Sequence, residues 1–271
     1  MNRFDRKFGP ELLNEVPNAP GVYRFLGADD AVVYVGKAKR LRRRLAQYRN
    51  ASRLKRHRKM RAIVSKAVRL VWEVCESELD ASLREIRLIQ ELRPKANVAG
   101  KFSFLYPLIG LKVAVASKGE VTFAFTTEPA RLPGFLLFGS YRSREATAEA
   151  FFALMRLLRF VGHLDPSEAR VPRSYLFRFR RLGAVEPEKW TDFFRGFSRE
   201  ALEDLALALV DKAGARAKAA EIEEDLKSIG RFWKEEALPL ARAIDSTGFL
   251  VYPVPQAERD PLFLRARSSG A

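Results

Sequence analysis

The spacing of apolar residues changes along the chain, and each change predicts a different element. Residues 21–26 and 31–35 are short runs rich in β-branched and aromatic side chains, separated by Gly27-Ala28-Asp29-Asp30. Two such runs around a four-residue polar loop predict a β-hairpin. Pairing Leu26 with Ala31 would set Tyr23 directly opposite Tyr34, with both phenols on one face of the sheet. Leu41, Leu45 and Tyr48, then Met60, Ile63, Val64 and Ala67, recur at helical spacing and predict two helices. Residues 69–75 alternate again, Leu70, Trp72 and Val74 against Val71 and Glu73, and supply a third strand.

Ser77 followed three residues later by Asp80 has the form of an N-terminal cap, opening a helix that runs to about Leu92, before Pro94. Its buried stripe is expected at Leu79, Leu83, Ile86 and Ile89. Glu85 shares an edge of that helix with Leu88, Ile89 and Leu92, so its carboxylate borders the core. Beyond Asn97, β-like runs at 111–117, 121–126 and 136–138 precede a helix over 143–161. Pro166 and Pro172 mark a connection. Leu202, Leu205, Ala206, Leu209 and Val210 form one helical stripe, and Ile222, Leu226, Ile229 and Trp233 another, which together predict an antiparallel helical hairpin. The stretch from Ser246 reads as irregular. The fold class expected is α+β: a small domain with a short antiparallel sheet flanked by helices (1–100), a β/α extension (101–165), and a linker with a helical C-terminal region (166–271).

Charge adds a partner to this outline. The 271 residues carry 49 Lys and Arg against 33 Asp and Glu, a net charge of +16. Such a surplus suits a polyanion, and nucleic acid is the commonest in a cell. Between Lys37 and Trp72 there is no acid, yet Lys39, Arg40, Arg43, Lys55, Arg56, Arg58 and Lys59 all fall there, outside the apolar stripes of the two helices. That layout predicts folded helices with a basic outer surface suited to phosphate contacts without base readout. A merely solubilising face is the plainer alternative. No basic amphipathic helix of membrane-surface type, no membrane-length apolar run and no signal-peptide layout occurs. Cys75 is the sole cysteine, so thiolate cages and intrachain disulfides are excluded, and a reducing, cytoplasmic compartment is expected. His57 and His163 form no metal-ligand pattern, and Gly21 and Gly36 are expected to serve backbone geometry.

Five separated motifs then occur in one order: Pro20-Gly21-Val22-Tyr23, Tyr34-Val35-Gly36-Lys37-Ala38-Lys39, Arg44 with Tyr48, residues 77–85 ending in Glu85, and Arg93-Pro94-Lys95-Ala96-Asn97-Val98. Together they resemble the signature of GIY-YIG endonucleases of the UvrC type. Downstream, Phe138-Gly139-Ser140-Tyr141 resembles the family's FGPY step with serine in place of proline. Residues 175–187 stand where the family has four cysteines, and the 202–233 helices loosely resemble the hairpin that docks a helicase. No stretch resembles the family's second nuclease domain or its helix-hairpin-helix domain, as in its short members.

The resemblance implies a DNA phosphodiester hydrolase, bacterial and nucleoid-associated, making one incision beside a lesion in excision repair. Its catalytic residues would be Tyr23, Tyr34, Lys37, Arg44 and Glu85. Arg44 would bring a guanidinium fork to the phosphate, and Glu85 would hold one Mg²⁺ or Mn²⁺. Tyr34 would be the base for the attacking water, with Lys37, Arg44 and the ion favouring its phenolate. Tyr48 and Asn97 would act from behind these groups, Asn97 by positioning Glu85 or a nearby loop. Without the cysteines no iron–sulfur cluster is expected, and a UvrB-type helicase is the candidate protein partner. A GIY-YIG nuclease for branched or foreign DNA, and a DNA-binding module that no longer cuts, are the alternatives.

Overall fold

The computed structural model describes residues 1–97, 105–114, 119–165, 171–182 and 186–269. Val98 and residues 115–117 of an expected strand lie outside them. The chain packs as two compact units, Met1–Phe104 with Phe263–Ala271, and Leu105–Leu262. It is an α+β protein with two antiparallel sheets.

The first unit opens on two short helices that the apolar pattern did not announce, α1 (Arg3–Phe8) and α2 (Leu12–Glu15). Charged residues dominate this stretch, but Phe4 is fully buried and Asn2 caps α1 by accepting from the Asp5 N–H. Strands β1 (Gly21–Leu26), β2 (Val32–Ala38) and β3 (Arg69–Val74) form a sheet in the order β2-β1-β3. Helices α3 (Leu41–Arg49) and α4 (Arg58–Lys66) bury Leu41, Leu45, Tyr48, Ile63 and Val64, as their spacing predicts. They share a core with Tyr23, Phe25 and Leu70.

The hairpin register differs from the expected one. Ala31 closes the loop by accepting from the Gly27 N–H at 2.9 Å, and the ladder shifts between Phe25 and Leu26, so Leu26 pairs with Val32. Tyr23 therefore faces Gly36, and Tyr34 faces Phe25. Because Tyr23 and Phe25 alternate onto one face, the two phenols remain on that face as a diagonal pair, their rings 6.2 Å apart.

Helix α5 (Glu78–Leu92) begins at the cap read from the sequence, with the Ser77 hydroxyl accepting from the Asp80 N–H at 3.0 Å. Its most buried positions are Ala81, Ser82 and Leu88, while the expected stripe of Leu79, Leu83, Ile86 and Ile89 is half-buried. The helix packs on β2 and β1, where Leu88 and Ile89 meet Val22 and Val35. Glu85, between Ser82 and Leu88 on the helix, is half-buried and borders the core as expected.

In the second unit, β4 (Leu108–Val113), β5 (Val121–Thr126), β6 (Leu136–Gly139), β7 (His163–Asp165) and β8 (Ser174–Arg180) form one sheet in the order β6-β4-β5-β8-β7. Strand β8 occupies the region aligned with the cysteine segment, and its Tyr175 and Phe177 pack against Phe152 of α6 (Arg144–Val161). Its pairing with β5 joins residues on either side of position 165 in one sheet. Helices α7 (Pro187–Arg195), α8 (Glu200–Val210), α9 (Ala213–Arg216), α10 (Ala219–Phe232) and α11 (Leu238–Thr247) follow. Both helices expected from the 202–233 stripes are present, and α10 runs mainly along α6, where Arg156 forks onto Asp225. At the step after β6, the Tyr141 hydroxyl donates to the Phe194 carbonyl at 2.7 Å. The final stretch is not wholly irregular, since α12 spans Arg259–Ser269.

Candidate active site

Three tyrosines and an arginine meet on the α3 face of the first sheet. Tyr23 and Tyr48 are 1% and 3% exposed, and their hydroxyls lie 3.2 Å apart. Arg44 Nε donates to the Tyr23 hydroxyl at 3.1 Å, and its guanidinium lies 5.7 Å from the centre of the Tyr48 ring. Gln47, one helical turn on, accepts from the other side of the same guanidinium at 2.6 Å. Tyr48 reconciles two readings: its ring packs on Phe25 in the core while its hydroxyl enters the polar cluster.

Gly36 explains how Tyr23 can reach this position. A Cβ there would lie 2.5 Å from both Cζ and the hydroxyl of Tyr23 and 2.9 Å from a Tyr34 ring carbon. The glycine serves side-chain clearance rather than a special backbone shape. At Gly21, likewise, a Cβ would run into the Glu73 carbonyl.

Tyr34 is half-buried beside this cluster, and burial pushes its phenol up to about 12. The nearby Tyr23 and Glu85 reinforce the rise, while a hydrogen bond with Tyr48 and the charge of Arg44 oppose it. Lys37, expected to favour the phenolate, instead donates to the Ser82 hydroxyl on α5. The cation over the Tyr34 ring is Lys59, 5.2 Å from its centre. Without an ion, burial outweighs the pull of Arg44 toward the phenolate and favours the neutral phenol.

Glu85 approaches β2 from the α5 side. Burial pushes its carboxyl up, against the charge of Lys37, the Lys37 backbone N–H and the charge of Arg44. A buried carboxylate whose cost exceeds what its neighbours return is suited to a cation. Among the described residues no three His, Cys, Asp or Glu side chains cluster. The donor set at Glu85 thus fits a hard ion that keeps most of its shell as water, the habit of Mg²⁺.

The Asn97 side chain makes its hydrogen bonds to β2, and none to Glu85 among the described residues. Its amide accepts from the Val35 N–H at 2.9 Å and donates to the Val35 carbonyl at 2.8 Å, and the Ala96 N–H donates to the Val33 carbonyl. Since β2 is the edge strand, this segment caps the backbone on which Tyr34 and Gly36 sit.

The basic residues divide. Lys39, Arg40 and Arg43 join Arg44, Ala38 and Gln47 around an open pocket of about 360 Å³. Lys39 also pairs with Glu78. Lys55, Arg56 and Arg58 are exposed on the turn before α4 and at its start, away from that pocket's lining. Gln47 and Ser82 went unnoticed in the sequence, although each lies three residues from a named site residue, where helical neighbours meet.

A β-hairpin with two tyrosines, beside an arginine of α3 and a glutamate of α5, defines a nuclease domain of the GIY-YIG class. Residues 19–98 match the family described as the UvrC-like GIY-YIG domain, and this part of the chain belongs to it. Similar proteins include UvrABC system protein C of Pseudothermotoga lettingae, 46% identical over 179 residues, covering 64% of this chain and 31% of that one. Its counterpart in Saccharopolyspora erythraea is 29% identical over 262 residues, covering 85% and 34%. That of Corynebacterium jeikeium is 36% identical over 143 residues, covering 52% and 20%. The chain thus spans between a fifth and about a third of these relatives' length. Among solved structures, the N-terminal endonuclease domain of UvrC from Thermotoga maritima bound to magnesium is 33% identical, covering 36% of this chain and 98% of that one, with a TM-score of 0.30.

Proposed function

We propose that this chain is a DNA endonuclease that hydrolyses one phosphodiester bond with the help of a single divalent ion, in excision repair. The observation that carries the reading is the meeting of Tyr23, Tyr34, Arg44 and Tyr48 beside Glu85 at the capped edge of β2. Arg44 is held on two sides, by Tyr23 and Gln47, so its fork is pre-oriented for the oxygens of a phosphate. Lys39, Arg40 and Arg43 beside it would hold the strand's neighbouring phosphates. Tyr34 is the base for the attacking water, and Tyr23 orients that water or the phosphate.

Glu85 is the residue that would hold the ion, with Mg²⁺ or Mn²⁺ the hard cations its lone carboxylate suits. When bound, the ion would act as a Lewis acid on the leaving oxygen. Its charge would also offset the burial that keeps Tyr34 protonated.

Repair is supported by the similarity to UvrABC system protein C over 85% of this chain, which extends well beyond the nuclease domain. The experiment is incubation with a lesion-bearing duplex and its undamaged twin, with and without a UvrB-type helicase already loaded. A nick confined to the lesion duplex, and stimulated by the helicase, is expected. Equal cutting of both duplexes, indifferent to the helicase, would remove the repair assignment and leave a general nuclease.

A further inference from the structure

A second basic cavity lies on the first unit, and apart from Tyr48 none of its lining residues belongs to the motifs or to the proposed chemistry. It has a volume of about 500 Å³ and is lined by Arg3, Arg49, Arg53 and Arg61, with Phe4, Tyr48 and Val64 among its apolar walls. That volume is in the range of small-molecule sites, large enough for a nucleotide unit. No acid is among the lining residues. Asp5 stands behind Arg49 and takes its fork at 2.7 and 3.0 Å, so the uncompensated charge comes from Arg3, Arg53 and Arg61.

The guanidinium groups are unequally anchored. Arg3 donates to the Ser65 hydroxyl at 3.2 Å, and Arg61 donates to the carbonyls of Ser52 and Leu54. Arg53 makes no hydrogen bond or ion pair among the described residues and is exposed beside them. Two positioned arginines and one uncommitted arginine over an apolar floor form a receptor for a planar anion-bearing group, because a guanidinium fork matches phosphate oxygens in two-point geometry. The floor includes Tyr48, whose hydroxyl belongs to the catalytic cluster, so an occupant here would touch the ring that backs Tyr23.

We infer that this cavity binds a nucleotide phosphate, distinct from the phosphate held at Arg44. The source favoured by the basic surface around it is the bound nucleic-acid strand, and in that form the inference rests on the proposed function. A free nucleotide offers the same chemistry.

The test uses the full chain carrying Glu85→Ala, so that binding is read without cutting. A fluorescein-labelled duplex is titrated over a range of salt, with Arg53 intact, as Arg53→Ala and as Arg53→Lys. Arg53 supports no other residue, which makes its removal tolerable to the fold. Loss of one phosphate contact lowers the slope of log affinity against log salt by about 0.9. The expected result is that decrease in Arg53→Ala and its recovery in Arg53→Lys. In parallel, adenosine monophosphate is titrated while the arginine Nε resonances are followed. A saturable shift that vanishes in Arg53→Ala, with an unchanged duplex slope, assigns the cavity to a free nucleotide instead. An unchanged slope together with no shift overturns the inference. A wild-type chain that never cuts DNA would overturn the nuclease reading while leaving these binding results to stand on their own.

Discussion

The side-chain amide of Asn97 pairs with both backbone groups of Val35, donating to the carbonyl at 2.8 Å and accepting from the N–H at 2.9 Å. Val35 lies between Tyr34 and Gly36 on an edge strand, so this one side chain fixes the stretch of backbone that carries the proposed base. Asn97→Ala would leave two buried backbone groups unpaired, each costing about 1–3 kcal/mol. The expected outcome is a lower urea midpoint at unchanged slope, measured by equilibrium denaturation. A midpoint equal to wild type would mean that water replaces the amide freely.

Gly36→Ala tests the clearance of Tyr23. The added methyl would sit 2.5 Å from a hydroxyl and ring carbon that are fully buried and cannot retreat. Overpacking of this kind costs about 1–3 kcal/mol. The variant is expected to unfold earlier and to lose cutting. An alanine variant with wild-type stability and activity would show that the ring has room to move.

The pH behaviour of Tyr34 follows from its burial. With the phenol pushed up to about 12, the folded protein favours the neutral form above the ordinary tyrosine value of about 10. Stability from this group is thus complete below about pH 10 and is lost as pH rises toward 12. Ultraviolet titration of the metal-free protein against Tyr34→Phe should show one phenol missing from the high end of the curve. If Tyr34 is the base, cutting should keep rising with pH through neutrality, and an early plateau near pH 7 would contradict that role.

Arg44→Lys separates charge from geometry. Lysine keeps the charge but has no Nε to hold Tyr23 and no fork for phosphate. Loss of a positioned donor at developing charge lowers rates by about 10²–10³-fold. That loss is expected in kcat at nearly unchanged duplex affinity, since lysine keeps the charge and one cation among many sets affinity only weakly. A variant within a few-fold of wild type would make Arg44 a surface charge.

The sequence made the first unit legible where local pattern and chemistry coincide. The Ser77 cap, the alternation of β3 and the stripes of α3 and α4 all follow from contacts a few residues apart. The hairpin register was not legible, because Ala31 is drawn into closing the loop, which moves the partner of Leu26 by one place, and the shift at Phe25 moves the remaining partners by two. The face of α5 was missed because small residues, Ala81 and Ser82, are buried at its start, where larger apolar side chains were expected. Helix α1 was hidden by its charges, and β8 by its place in the region of the missing cysteines. The motif spacing pointed to Tyr23, Tyr34, Arg44 and Glu85 as candidates, whereas the direction of the Tyr34 shift needed its burial, and the grip of Asn97 on Val35 needed the third dimension.

Glu85 is proposed to hold the ion on which cutting depends. The direct measurement compares wild type and Glu85→Ala on a supercoiled plasmid and a lesion-bearing duplex, with Mg²⁺, with Mn²⁺ and with chelator. Binding of the duplex is followed in parallel. Wild type is expected to nick with either ion and not with chelator, and Glu85→Ala is expected not to nick while still binding DNA. Nicking that persists in Glu85→Ala at the wild-type rate, or that ignores the chelator, would contradict that role.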